Sequence, residues 1–177
     1  MSSSREPAEA NECLALYRQE LGYLIGSLRR LGVSNSDIDD VLHEVFIVML
    51  RRWEDYDRAR PPRPWLFGIA FRVASGHRRR NGRELLRDCP DAEDSSAQPD
   101  ETLAVTQQRQ MLLRALAKVP LERRAVLILH DVDEVAMREI ADQLSVPLFT
   151  AYSRLRKARS ELDAALKILL KGGRDAR

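Results

Sequence analysis

The sequence predicts an all-α protein: two small helical domains joined by a flexible linker, the C-terminal one a helix-turn-helix. Three observations carry that expectation. Apolar residues recur at helical spacing along most of the chain, and no segment alternates convincingly with a two-residue period. A polar stretch, 81–102, opens on Asn81-Gly82, is rich in Asp, Ser and Pro, and interrupts the pattern. A short break, Ser145-Val146-Pro147, separates two amphipathic segments near the C-terminus.

Residues 9–31 form the first expected helix, with Leu14, Tyr17, Leu21, Leu24, Ile25 and Leu28 on one side, ended by the breaker Gly32–Ser36. Ser36 is expected to cap the next helix, and Asp37, Asp39 and Asp40 favour its positive end. There Ile38, Val41, Leu42, Val45, Phe46, Met49, Leu50 and Trp53 make a continuous apolar stripe. Ile47 and Val48 fall off it, beside Glu44 and Arg51; they read as incidental surface residues or as part of a protein-binding face. Residues 58–64, Arg-Ala-Arg-Pro-Pro-Arg-Pro, are expected to form a stiff extended loop. The following helix is expected to start near Pro64-Trp65, where a first-turn proline is tolerated, and to run to about Arg80. Beyond the linker come Leu103 to Val119, stopped by Pro120, then 122–130, 135–144, and a long helix from Phe149 to about Leu170. The domains are therefore expected at 9–80 and 103–171.

Composition bounds the function. The chain has 177 residues, 44% of them hydrophobic, enough for a core. The net charge of +2 says little, because charge is sorted into blocks: −5 over 31–57, +8 over 58–87, −6 over 88–101 and +4 over 150–160. Such blocks read as separate surfaces for separate partners, or as solvated helix faces. The longest apolar run, Val45 to Leu50, is far short of the roughly 20 residues of a membrane span. The N-terminus has no apolar signal core. No membrane insertion and a cytoplasmic location are expected. Cys13 and Cys89 exclude a disulfide framework and read as simple thiols or as redox sensors. His43, His77 and His130 lack ligand spacing. With no nucleophile–base set and no Gly-rich phosphate loop, neither a metal, a cofactor nor an enzymatic activity is expected.

Two constellations carry function. In the first, Met137, Ile140, Ala141 and Leu144 stripe one helix, and Ala151, Leu155, Ala158 and Leu162 stripe the next, which Thr150 can cap. Ser153 and Lys157 lie about 160° from Leu155, hence outward, with Arg154 and Arg156 flanking and no acid before Glu161. That face suits a DNA groove, where cations neutralise phosphates and Ser or Arg reaches base edges. A solvated basic face is the alternative. The second constellation is 58–80. Trp65, Ile69 and Val73 point inward, Phe67 and Phe71 lie about 160° from Ile69, Arg78 falls opposite it, and the helix ends in His77-Arg78-Arg79-Arg80. Aromatics beside arginines offer stacking platforms to unpaired bases, unless the two Phe residues belong to the core.

These residues resemble the small two-domain sigma factors of bacteria, of the extracytoplasmic-function type, over about 10–80 and 103–165. Asp37-Ile-Asp-Asp-Val-Leu-His-Glu-Val-Phe-Ile-Val-Met-Leu50 is similar to the region-two helix that docks on the β′ clamp helices of RNA polymerase core. Arg63-Pro-Trp-Leu-Phe-Gly-Ile-Ala-Phe-Arg72 is similar to the segment that opens the −10 element. Leu116 to Leu127 is similar to the opening of region four. Glu139-Ile-Ala-Asp-Gln-Leu-Ser-Val-Pro147 with Thr150-Ala-Tyr-Ser-Arg-Leu-Arg-Lys-Ala-Arg159 is similar to the −35-reading helix-turn-helix, with serine at 145 where glycine is usual.

The resemblance implies a transcription initiation factor that binds polymerase core and promoter DNA. Tyr152, Ser153, Arg154, Arg156 and Lys157 would read the −35 element, with Arg138 and Thr150 on phosphates. Arg58, Arg60, Arg63, Trp65, Phe67, Phe71, Arg72 and Arg78 would serve −10 melting. Asp40, Glu44, Ile47, Val48 and Arg51 would dock on the polymerase. The acidic linker would mimic nucleic acid, unless it is plain disorder, and an anti-sigma factor is an implied partner. Two rivals remain: a sigma mimic that sequesters an anti-sigma factor, and a stand-alone helix-turn-helix regulator. The outward basic residues argue against the first. The docking helix and arginine loop argue against the second.

Overall fold

The computed structural model describes residues 5–81 and 103–175, and among these every regular element is helical. The linker expected over 81–102, with Cys89, lies outside the described residues except for Asn81. The first domain comprises α1 (Arg5–Gln19), α2 (Leu21–Leu31), α3 (Ile38–Arg51) and α4 (Pro62–Arg80). The second comprises α5 (Leu103–Lys118), α6 (Leu121–Leu127), α7 (Met137–Gln143) and α8 (Leu148–Asp175).

The helix expected over 9–31 is two helices, broken at Glu20. Gly22 weakens the helix just past the break. Glu20 is buried there, and its carboxylate accepts a 2.9 Å hydrogen bond from Arg63 Nε. Helix α2 ends on Gly32, whose φ of +91° places it in the left-handed region; the Gly32 N–H bonds to Arg29 O and the Val33 N–H to Leu28 O. Asp37, not Ser36, holds the cap position of α3, and no side-chain bond closes it. The Ser36 hydroxyl instead lies 2.8 Å from the Ser34 hydroxyl. Of the α3 stripe, Ile38, Val41, Leu42, Val45, Met49 and Trp53 are buried, Phe46 is half-buried and Leu50 is exposed.

Helix α4 starts at Pro62, earlier than the prolines imply. Pro62 and Pro64 both sit in its first turn, where backbone N–H groups have no helical partner to lose. Helices α2, α3 and α7 all pack against it. That enclosure buries Leu66, Phe67, Ile69, Ala70 and Val73 around most of its circumference.

In the second domain α8 is the spine, packed by α5, α6 and α7. The segment expected as helix 122–130 is α6 followed by a wider π-type turn, Ile128–Val132, with Ile128 and Leu129 buried. The helix expected over 135–144 is shorter, because Ala136 is extended and only Met137–Gln143 is α-helical. After α7, Ser145 adopts φ +54°, the left-handed conformation that glycine adopts without strain. Thr150 is the third residue of α8 rather than its cap, since the helix begins at Leu148.

The two domains pack together through α2 against α5 and α6, and α4 against α7. Gly68 lies at the second approach: a Cβ there would stand 3.1 Å from Gln143 Oε1 and 3.6 Å from Gln143 O. Arg124, only 2% exposed, spans the first. Its Nη1 donates to Leu31 O at 2.7 Å, its Nη2 to Ala117 O at 2.9 Å and Val119 O at 2.8 Å, and its Nε to Val119 O at 3.1 Å.

Candidate nucleic-acid interface and polymerase-docking face

The outer face of α8 follows from what its inner face buries. Ala151, Leu155 and Ala158 are buried, and alanines at 151 and 158 let neighbouring helices approach closely. Tyr152, Arg156 and Lys157 are exposed, while Thr150, Ser153 and Arg154 are half-buried. Arg138 on α7 is exposed. Arg159, counted in the basic block, turns away: it donates to Asp131 at 2.6 and 2.9 Å. The Arg159 guanidinium holds the Asp131 carboxyl below its usual range. Glu161, the first acid of the helix, is bound to Arg123 at 2.7 Å. The unneutralised cations of this face therefore begin at Arg154 and end at Lys157.

The arginine loop is not loose. Arg58 pairs with Glu12 at 2.9 Å and lies 5.3 Å over the Trp53 ring. Arg63 binds Glu20 and lies 5.0 Å over the Tyr23 ring. Arg60 pairs with Asp57 at 3.3 Å. Beneath the loop, Trp65 is half-buried in an aromatic cluster, 4.8 Å from Tyr56 and 6.2 Å from Trp53 between ring centroids. Phe67 cannot stack on a base. It is 0% exposed, so the −10 stacking role expected of it does not hold: α2, α3 and α7 close around the turn of α4 that carries it. Phe71 is half-buried against the core. Arg72 is exposed and donates through Nη2 to Gln143 O at 3.0 Å, across the domain boundary. Arg78 is exposed at the basic end of α4.

On α3, Asp40, Glu44, Ile47, Val48 and Arg51 share the side away from the buried stripe. Asp40 and Arg51 are exposed; Glu44, Ile47 and Val48 are half-buried, and Val48 also packs on the core. Glu44 accepts hydrogen bonds from Arg80 Nη2 at 2.8 and 2.7 Å, so the acidic and basic blocks meet here. A shallow groove of about 330 Å³ runs beside this face, lined by Tyr17, Leu21, Asp39, Leu42, His43 and Phe46. Sequence reasoning did not single it out, because its walls come from three helices, α1, α2 and α3. Cys13 is fully buried, and burial pushes its thiol up to about 11. Among the described residues no cluster of His, Cys, Asp and Glu has the makings of a metal site. No described helix is long and apolar enough to cross a membrane.

Comparison with known proteins accounts for both halves. Residues 16–84 match the Sigma-70 region 2 family, and residues 109–162 match Sigma-70, region 4. Together the two define a sigma factor of the sigma-70 class. The chain is 30% identical over 150 residues to the RNA polymerase sigma factor NccH of Alcaligenes xylosoxydans xylosoxydans, with 81% of each chain covered. It is 24% identical over 158 residues to the ECF RNA polymerase sigma-E factor of Escherichia coli K12, with 83% of each covered. Its fold is similar to that of CnrH in complex with the cytosolic domain of CnrY (TM-score 0.63, 21% identity, 92% of this chain and 95% of that one). It is similar also to the sigma factor RpoE in complex with the anti-sigma factor NepR from Bartonella quintana (TM-score 0.64, 20% identity, 86% and 97%). The chain belongs to the extracytoplasmic-function sigma factors, and it directs RNA polymerase to promoters.

Proposed function

We propose that promoter reading is divided between two faces, and that the outer face of α8 reads the −35 element in the major groove. The observation that carries this is the arrangement of Arg154, Arg156 and Lys157 around Tyr152 and Ser153, opposite a buried alanine–leucine stripe and free of acids up to Glu161. Arg138 and Thr150 hold the flanking phosphates. The −10 region falls to the first domain: Arg58, Arg60 and Arg63 on the loop, Trp65, Phe71, Arg72 and Arg78 on α4, with Phe67 serving only the core. In the packed arrangement the Arg72 guanidinium is held by Gln143 O, so its use on a melted strand requires that bond to break. Asp40, Glu44, Ile47, Val48 and Arg51 dock on the β′ clamp helices. The segment 81–102 acts as an acidic tether between domains at 9–80 and 103–171. The polymerase, not this chain, performs the chemistry, in the cytoplasm. An anti-sigma factor is a partner, a reading supported by the two structural neighbours that were solved with CnrY and NepR.

Run-off transcription from a bank of promoters, with core polymerase alone and with the chain added, tests the assignment. Arg156→Ala with Lys157→Ala is expected to weaken −35 duplex binding and to flatten its salt dependence by about two phosphate contacts. An unchanged slope removes the α8 assignment. Failure to associate with core at low salt removes the docking face.

A further inference from the structure

Three apolar side chains, Leu148, Phe149 and Tyr152, stand exposed at the start of α8. Phe149 is 83% exposed, the barest large apolar side chain among the described residues. Single exposed apolar residues are ordinary on a protein surface, but three within five residues make a patch, and patches of this kind mark contacts with other molecules. The position of Phe149 narrows the choice of molecule. It precedes Ser153 by four residues and Arg156 by seven, so the three lie in one line along the helix, opposite buried Ala151, Leu155 and Ala158. The first turn of α8 carries no acid, and Arg154, Arg156 and Lys157 follow directly. An apolar tip set in cationic surroundings is complementary to a polyanion that carries an isolated apolar feature. Duplex DNA is such a polyanion. In its major groove the C5 methyl of thymine is the one apolar group on a base edge, and the N-terminal residues of a recognition helix are those that reach base edges.

We propose that Phe149 is a specificity-determining residue whose ring packs on a thymine methyl in the −35 duplex, next to the base pairs reached by Ser153 and Arg156. Tyr152 and Leu148 shield that contact from water. The proposal rests on the assignment of α8's outer face to the −35 groove.

The test uses holoenzyme assembled from the full chain and core polymerase. Duplexes are first selected from a pool randomised over the −35 element. Each thymine of the selected sequence is then replaced in turn by deoxyuridine, which lacks the methyl and keeps every hydrogen-bonding group. One replacement is expected to weaken wild-type binding about fourfold, the worth of burying one methyl group. The same replacement leaves the affinity of Phe149→Ala unchanged, because the contact is already gone. The exposed position means that F149A folds, which an unaltered circular dichroism spectrum verifies. Two results overturn the proposal and are distinguishable. If both proteins bind the duplex with steep salt dependence and respond alike to every deoxyuridine, Phe149 reads no methyl while the basic face stands. If R156A/K157A also leaves the salt slope untouched, the α8 assignment falls with it.

Discussion

Gly32 and Arg124 meet across the domain boundary, and their coupling is measurable. A Cβ added at Gly32 would stand 2.6 Å from Arg124 Nη1, too close for both to remain. The guanidinium would give way, and with it the 2.7 Å bond to Leu31 O. Two costs then add in Gly32→Ala. A left-handed alanine costs about 1–2 kcal/mol. Loss of a hydrogen bond from a charged donor costs about 1.5–3 kcal/mol. In an Arg124→Met background the second cost disappears, because methionine keeps the stem and ends short of the Nη1 position. The double-mutant cycle should therefore show a coupling of about 1.5–3 kcal/mol, the range expected of residues in direct contact. Urea unfolding of the four proteins measures it with two probes. Tryptophan fluorescence comes from Trp53 and Trp65 alone and follows the first domain, whereas circular dichroism follows all helices. A coupling indistinguishable from zero by both probes would mean that Arg124 does not reach Leu31 in solution, and that the packing of α2 on α6 is not as described.

Two further substitutions have defined outcomes. Ser145→Gly relieves the left-handed strain at φ +54° and should stabilise the chain by several tenths of a kcal/mol, because glycine's larger unfolded-state entropy offsets part of the gain; a lower melting temperature would refute this. Asp133 lies under Tyr23, whose hydroxyl donates to it at 2.7 Å, and burial raises its carboxyl above the ordinary value of 3.8 even with Arg30 and Arg63 pulling the other way. The native state thus holds this proton more tightly than the unfolded chain does. The stability it contributes is complete below pH 3.8 and is lost as pH rises through the raised native value. Asp133→Asn, which accepts the same bond without titrating, should be more stable than wild type at pH 7 and should lose that advantage as the pH approaches 4. An advantage that grows on acidification contradicts the burial described.

The all-helical, two-domain character was legible because helical spacing is a local property, and α3 wrote it plainly from Ile38 to Trp53. The outward side of α8 was legible for the same reason: Ala151, Leu155 and Ala158 leave one direction for Arg156 and Lys157. Features set by long-range packing were not. Periodicity left Phe67 open to either role, and three neighbouring helices decided it. The arginine loop read as a stiff extended segment serving −10 melting, yet Arg58 and Arg63 are bound to Glu12 and Glu20, more than forty positions away. Nothing local announced that the helix expected over 9–31 breaks at Glu20 and buries it. Phe149 was visible as a letter, but its exposure depended on knowing that α8 begins at Leu148.

Arg124 and Arg72 have a shared habit: each crosses to the other domain and ends on a main-chain carbonyl, of Leu31 and of Gln143. A carbonyl is supplied by every amino acid alike. Exchanging the acceptor's side chain leaves the join intact, so tolerance to change at the boundary is lopsided, with the guanidinium donors fixed and the residues they grasp at liberty to drift. Two halves of such a molecule can diverge in sequence while still recognising one another.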